Sequence, residues 1–437
     1  MQKKISLSVF IFVLLAAILL AFMGAYAVSA AMFRQQLVAV EQAYAKTDNS
    51  KLNKLLEIIS GAGLFSIEDD ADFSGLLDWY SSVSGDRYAY YYSAEQFEAL
   101  NSDNAGSGVG IGVMVIENAD ENAIEITNVM PESAAIDAGL LPGDLIVAVI
   151  DRSSGSEVRT PVSELGFEGA LQRLRGEEGT YAEFVVKRTD GEHRFSIPRR
   201  AYESLSVTYH VNTENSKVGV IKLIEFDLTT PHQFQNAMDK LISAGCEYFI
   251  FDVRYNPGGD LASISAVLSY MLNDGDIIIR TSGKDMSDMT TTKVSIVNYD
   301  QSSPYAACNV KKADIGKYRN AVNGKCAVIA NGSTASAAEL FTSALKDYGI
   351  AKVVGTTTFG KGSMQSVYDL SAFGYDGGLK LTTRFYYPPL SDGYDGIGIM
   401  PDVTVELDPA LSGKNIYKIT DAEDNQMNAA LSAIIGG

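Results

Sequence analysis

The hydrophobic rhythm of the chain changes three times, and each change predicts a different kind of structure. Residues 5–32 form one apolar run of 28 residues without a charged side chain. That is longer than the ~20 residues needed to span a bilayer. From 34 to 100 apolar positions recur at helical spacing, as in Leu52, Leu55, Leu56 and Ile59, and again at Leu76, Leu77, Trp79 and Tyr80, so this stretch reads as helices. Ser93-Ala94-Glu95-Gln96, behind the aromatic patch 88–92, predicts a capped helix start. From 106 to 200 glycines and short β-branched runs dominate, as in Val109-Gly110-Ile111-Gly112-Val113 and Ala123-Ile124-Glu125-Ile126. There a short helix ending at Gly139 is followed by a Pro142-Gly143-Asp144 turn and a strand, and Asp190-Gly191 marks a hairpin. After 218 strands and helices alternate. Strands are predicted at 218–223, 248–253, 325–330 and 352–355, and helices at 231–243 and 335–347, which is α/β organisation. Residues 281–320 are polar and irregular, as expected of a hairpin or loop excursion.

Composition narrows the picture. A chain of 437 residues predicts two or three domains, and a net charge of −19 argues against nucleic-acid binding. Lys3 and Lys4 ahead of the apolar run place the rest of the chain outside the cytoplasm. Residues 1–33 therefore read as a transmembrane anchor. The competing reading is a cleaved signal peptide, with small-residue sites at Ala25-Tyr26-Ala27 and Ser29-Ala30-Ala31. Both readings export the chain. The helical stripe in 34–100 is a packing face, with a homodimer contact as the alternative. Cys246, Cys308 and Cys326 lack zinc-ligand spacing and read as small core residues. His193, His210 and His232 read as surface or satisfied residues.

Candidate chemistry lies in two short runs. In Asn331-Gly332-Ser333-Thr334-Ala335-Ser336-Ala337 a strand ends and a helix begins, so Ser336 projects from a sharp turn. The N–H of Ala337, free at a helix N-terminus, is suited to an anionic acyl-transfer intermediate. Asn256-Pro257-Gly258-Gly259, after another predicted strand, offers a second donor. In Gly360-Lys361-Gly362 a lysine between glycines is consistent with a tight strand that buries its amine. Burial lowers a lysine's pKa and makes it a usable base. Gln365, four residues on, would share its face in a strand and orient it. These residues alone leave other readings open. Ser336 could cap a helix, Ser333 or Thr334 could be the cap or the nucleophile, and Gly360-Lys361-Gly362 could be a surface turn.

Taken in order, the motifs resemble the carboxy-terminal processing peptidases, the tail-specific serine–lysine protease family with a PDZ domain. The resemblance spans roughly 85–405. It rests on Asp86-Arg87-Tyr88 with 91–97, on Leu174-Arg175-Gly176 through Thr180, and on Phe251-Asp252-Val253-Arg254-Tyr255-Asn256-Pro257-Gly258-Gly259. It rests also on the Ser336 region through Glu339 and on the interval to Lys361. The resemblance implies an α/β serine-protease core of the crotonase/ClpP-like ββα kind, an inserted, mostly β PDZ domain, and an N-terminal helical segment after one transmembrane helix. The expected domains are 1–33 anchor, 34–100 helical, 101–200 PDZ and 201–437 peptidase core. It implies Ser336 as nucleophile, Lys361 as general base and Gln365 as the residue orienting the lysine. Ala337 and a glycine of Gly258-Gly259, Gly258 preferred, would form the oxyanion hole. Gly108, Val109, Gly110, Ile111 and Gly112 would bind a peptide's terminal carboxylate. The implied partners are C-terminal tails of protein substrates, and no cofactor or metal is implied. The chain departs from the family pattern at Thr334, at Leu390-Ser391-Asp392-Gly393 and at Lys325, which predicts a dyad rather than a triad. Two other classes stand beside this reading: a catalytically silent PDZ scaffold, and a crotonase-like acyl-thioester enzyme.

Overall fold

The computed structural model describes residues 82–130, 132–152, 155–283, 288–373, 376–411, 414 and 416–435. The predicted anchor and most of the predicted helical region lie outside them. Among the described residues no helix is long and apolar enough to cross a membrane.

Three larger β-sheets and one two-stranded ladder organise the described residues. The first carries the main core. Its strands run in the order Val207–Val211, Val218–Leu223, Tyr248–Asp252, Cys326–Ala330, Ala351–Gly355 and Val403–Thr404. The first pair is antiparallel and the remaining pairs are parallel. Cys326–Ala330 is buried at every position, which explains its unbroken apolar sequence. Helices Thr230–Ser243, Leu261–Ser269 and Ala337–Asp347 share one hydrophobic cluster with this sheet. Helix Asn425–Ile435 supplies residues to a second cluster with Val218, Ile250 and Ile329. An ion network pins that helix. Arg254 donates to Asp252 and Asp424 and also to Gln426, all of them buried. Burial pushes Asp252 up, but the Arg254 and Lys222 charges outweigh it and hold the carboxyl at about 2.

A second sheet is built around Gly378–Tyr387. Ser363–Asp369 lies along one of its edges, and Tyr90–Tyr92 and Ile277–Ser282 pair along the other. The excursion at 281–320 contains the antiparallel partner Thr290–Lys293. The aromatic patch is thus a strand and not helix, because Tyr90 to Tyr92 pair antiparallel with Gly378 to Lys380. Ser93 then caps helix Ala94–Asn104 in a reciprocal box with Gln96.

The third sheet, in the order Val113–Asn118, Ala123–Val129, Leu145–Asp151, Tyr181–Arg188 and Gly191–Pro198, with Val158–Pro161 beside Leu145–Asp151, closes on a hydrophobic cluster of its own. Ser133 caps the short helix Ala134–Asp137, and Gly139 turns out of it at φ +76°. Asp190-Gly191 joins the hairpin strands. The three cysteines are free and buried. Desolvation pushes the Cys308 thiol up to about 12.

Candidate active site

Parallel strands Tyr248–Asp252 and Cys326–Ala330 end side by side, and the loops that follow them meet. Asn256 joins the two loops. Its carbonyl accepts Ala335 N–H at 2.9 Å, and its side chain donates to the Leu223 carbonyl and accepts Gly258 N–H. Thr334 is fully buried, with its hydroxyl donated to the Val253 carbonyl and accepting Asn331 N–H. It braces the turn and is not exposed as a nucleophile would be, while Ser333 lies exposed. Ser336 is the N-cap residue of helix Ala337–Asp347, at φ +57° and ψ −120°. A non-glycine residue in the left-handed region is uncommon and is held there by its surroundings. A Cβ on Gly258 would lie 2.6 Å from the Ser336 Cβ, so a glycine is needed for this approach.

The backbone donors are divided unequally. Ser336 N–H donates to Glu339 Oε2 and Ala335 N–H to Asn256, whereas Ala337 N–H has no hydrogen bond among the described residues. Gly258, preferred from sequence, has its N–H donated to the Asn256 side chain. Gly259 N–H makes no such bond among the described residues, and Gly259 lines the same cleft as Ser336 and Ala337. The two N–H groups left without a partner among the described residues here are therefore those of Ala337 and Gly259.

Lys361 sits in the loop before strand Ser363–Asp369 and not on a strand, so the shared-face argument with Gln365 does not apply in its simple form. Both residues nevertheless line the Ser336 cleft, a cavity of about 510 Å³. The loop is held by Glu339, which is fully buried. Its two oxygens accept Ser336 N–H, the Thr358 hydroxyl, Gly360 N–H and Lys361 N–H. Glu339 thus ties the serine turn to the lysine loop. Its place three residues after Ser336 is the spacing of a capping box, the sequence signal that could have marked it. The Tyr386 hydroxyl donates to the Lys361 carbonyl. Asp395 accepts Gly362 N–H at 2.8 Å.

The lysine amine rests 4.9 Å from the centroid of the Tyr88 ring and makes no hydrogen bond to Ser336. Desolvation first, and the Lys380 ammonium second, hold it below the ordinary lysine value, against the opposing Glu339 charge. Asp86 sets Tyr88 in place by accepting Tyr88 N–H, and it also accepts the N–H and hydroxyl of Thr382. Thr382 in turn receives the Gln365 amide at 3.1 Å. Gln365 is thereby anchored to the sheet through its nitrogen.

Gly108, Val109, Gly110, Ile111 and Gly112 lie apart from this cleft. Strand Ser107–Gly110 pairs with Arg200–Glu203, so Gly108 to Gly110 belong to a ladder rather than an open loop. The Ile111 and Gly112 carbonyls accept Ala135 and Met130 N–H groups. Next to them, Val113–Asn118 is an edge strand of its sheet.

The family model described as peptidase family S41 matches residues 217–405, which holds Ser336, Lys361, Gln365 and both donor loops. The chain is 29% identical over 322 residues to a probable CtpA-like serine protease of Staphylococcus epidermidis, across 73% of this chain and 58% of the relative's length. It is 29% identical over 391 residues to one from Staphylococcus aureus, across 87% of this chain and 71% of that protein. A Bacteroides fragilis structure assigned to the S41 proteases shares the fold. It has a TM-score of 0.52 at 16% identity, covering 85% of this chain and 92% of the other. Strand-end loops, a serine turn and a lysine loop bound by one carboxylate lie within the matched span, and the chain carries a peptidase family S41 domain at 217–405.

Proposed function

We propose that this chain is an exported, membrane-anchored serine endopeptidase that captures the C-terminal tail of a protein substrate and cleaves it with Ser336 and Lys361. The observation that carries the reading is the convergence on one cleft of Ser336, the partly desolvated Lys361 amine and two unused backbone donors. In the cycle, Ser336 Oγ attacks the peptide carbonyl as Lys361 Nζ takes its proton. The oxyanion is held by the N–H groups of Ala337 and Gly259. The lysine then protonates the leaving amine, and water releases the acyl-enzyme. For this the amine must leave the Tyr88 ring, on whose face a charged ammonium is favoured. Capture is assigned to 101–200, read as a PDZ domain. The reading is supported by the edge strand Val113–Asn118 and by the Ile111 and Gly112 N–H groups, which have no partner among the described residues.

One assay tests both parts. Wild type, Ser336→Ala and Lys361→Ala are each given an unfolded protein with an apolar tail, and the same protein amidated at its C-terminus. Cleavage is expected from wild type only, and faster for the free carboxylate. Undiminished cleavage by Ser336→Ala removes the mechanism. Equal rates on the two substrates remove carboxylate capture.

A further inference from the structure

The Ser336 cleft holds a second lysine that the chemistry above does not use. Lys380 is half-buried on strand Gly378–Tyr387, two residues before Thr382 and so on the face that receives Gln365. Its ammonium lies 5.5 Å and 5.3 Å from the ring centroids of Tyr90 and Tyr92. Those two rings are packed edge to face, 4.7 Å apart. Among the described residues Lys380 has no ion pair and no hydrogen bond. The carboxylates that line the same cleft are otherwise engaged. Asp260 accepts Ala262 and Ser263 N–H groups at the start of helix Leu261–Ser269, and Asp369 accepts Ser371 N–H. A cation held by two aromatic faces and given no anion, in a chain of net charge −19, is a recognition element with its counterpart missing.

We propose that Lys380 is a specificity-determining residue of the cleft, which binds a carboxylate of the peptide substrate as the chain lies between Ser336 and the Tyr90–Tyr92 strand. The inference rests on the peptidase reading above. An acidic side chain and a terminal carboxylate present the same chemistry. The rings orient the ammonium, and the anion takes its open side. Its charge also acts on Lys361, second after burial in favouring the neutral amine. A bound carboxylate would mute that effect, so recognition at Lys380 and basicity at Lys361 are linked.

The test uses the full chain and fluorescent alanine–leucine peptides in which one glutamate is walked along the sequence, each paired with its glutamine twin. An amidated series isolates side-chain carboxylates, and a free-acid series adds the terminus. Binding is read by anisotropy on Ser336→Ala, with and without Lys380→Gln, and kcat and KM on the catalytically intact chain. At one register the carboxylate peptide is expected to bind roughly tenfold tighter than its neutral twin, the size of one charge-assisted contact. Lys380→Gln should abolish that difference, Lys380→Arg should keep it, and in turnover it should fall on KM. Equal binding of every pair, or a preference that survives Lys380→Gln unchanged, overturns the proposal. Discrimination in binding by a chain that cleaves no peptide upholds carboxylate recognition and removes the peptidase reading. Cleavage that ignores the glutamates and the terminus does the reverse.

Discussion

The serine turn and the lysine loop face one another across one cleft, yet they are built differently. The serine turn draws both on its own neighbours and on the loop after Val253, where the Asn256 carbonyl accepts Ala335 N–H and the Val253 carbonyl accepts the Thr334 hydroxyl. Thr334 N–H donates to the Asn331 carbonyl, Ser333 N–H to the Asn331 side chain, and Asn331 N–H to Thr334. A buried strand ends just before it and a helix starts just after it. The lysine loop is held by residues 22, 33 and 25 positions away: Glu339, Asp395 and Tyr386. Tyr88, from the far side of the third sheet in sequence, covers its amine. Bonds among residues 331–339 therefore shape much of the Ser336 turn. The distant bonds of the lysine loop make the place of Lys361 depend on how several segments dock, and so open to adjustment.

The largest expected effect comes from replacing the proposed base without emptying its place. Lys361→Arg keeps the charge, but a guanidinium does not deprotonate, so kcat/KM should fall about 10²–10⁴-fold while the melting temperature stays near that of wild type. In wild type, kcat/KM should rise with pH as the amine gives up its proton. The midpoint should lie below the ordinary lysine value of ~10.4, because burial and Lys380 both disfavour the ammonium. A midpoint at or above that value would contradict the assigned base.

Glu339→Gln strikes the junction of the two loops. An amide nitrogen would face donors that now meet an oxygen, costing about 2–5 kcal/mol in urea denaturation and most of the activity. Wild-type stability in that variant would show that the loops do not depend on the carboxylate. Asn256→Ala acts on the glycine loop packed against the serine turn. With Gly258 N–H and the Leu223 carbonyl left unpaired in a buried place, about 2–4 kcal/mol of stability should be lost. Asp395→Ala, on the exposed lysine side, should change unfolding by less than about 1 kcal/mol yet lower kcat by up to roughly tenfold. If Asp395→Ala were the more destabilising of these two, the contrast between a buried anchor on the serine side and an exposed one on the lysine side would be lost.

Much of the scaffold was legible along the chain. The strands of the α/β core announce themselves as unbroken apolar runs, because both faces of that sheet are covered. The Ser93 cap and the Asp190-Gly191 hairpin are short-range chemistry, read from a few residues. The periodicity upstream extends a helical pattern over the aromatic patch before Ser93, but the strand partner of that patch, Gly378 to Lys380, is nearly 300 positions away. Of the two glycines after Pro257, periodicity offers no ground for choice. What separates them in the fold is the Asn256 side chain, which takes the N–H of Gly258.

By itself the sequence determined the strand-to-helix turn that bears Ser336, the glycine loop beside it and the alternation that stacks their strands, because these depend on contacts within a few residues or on simple hydrophobic period. Tertiary structure alone decided which backbone N–H groups stay unused, where the Lys361 amine rests, and that Glu339, Tyr88 and Lys380 share its surroundings. Those outcomes follow from a buried carboxylate and aromatic faces brought together from remote segments, whose hydrogen bonds and charges act over a few ångströms in space and leave no period in the chain.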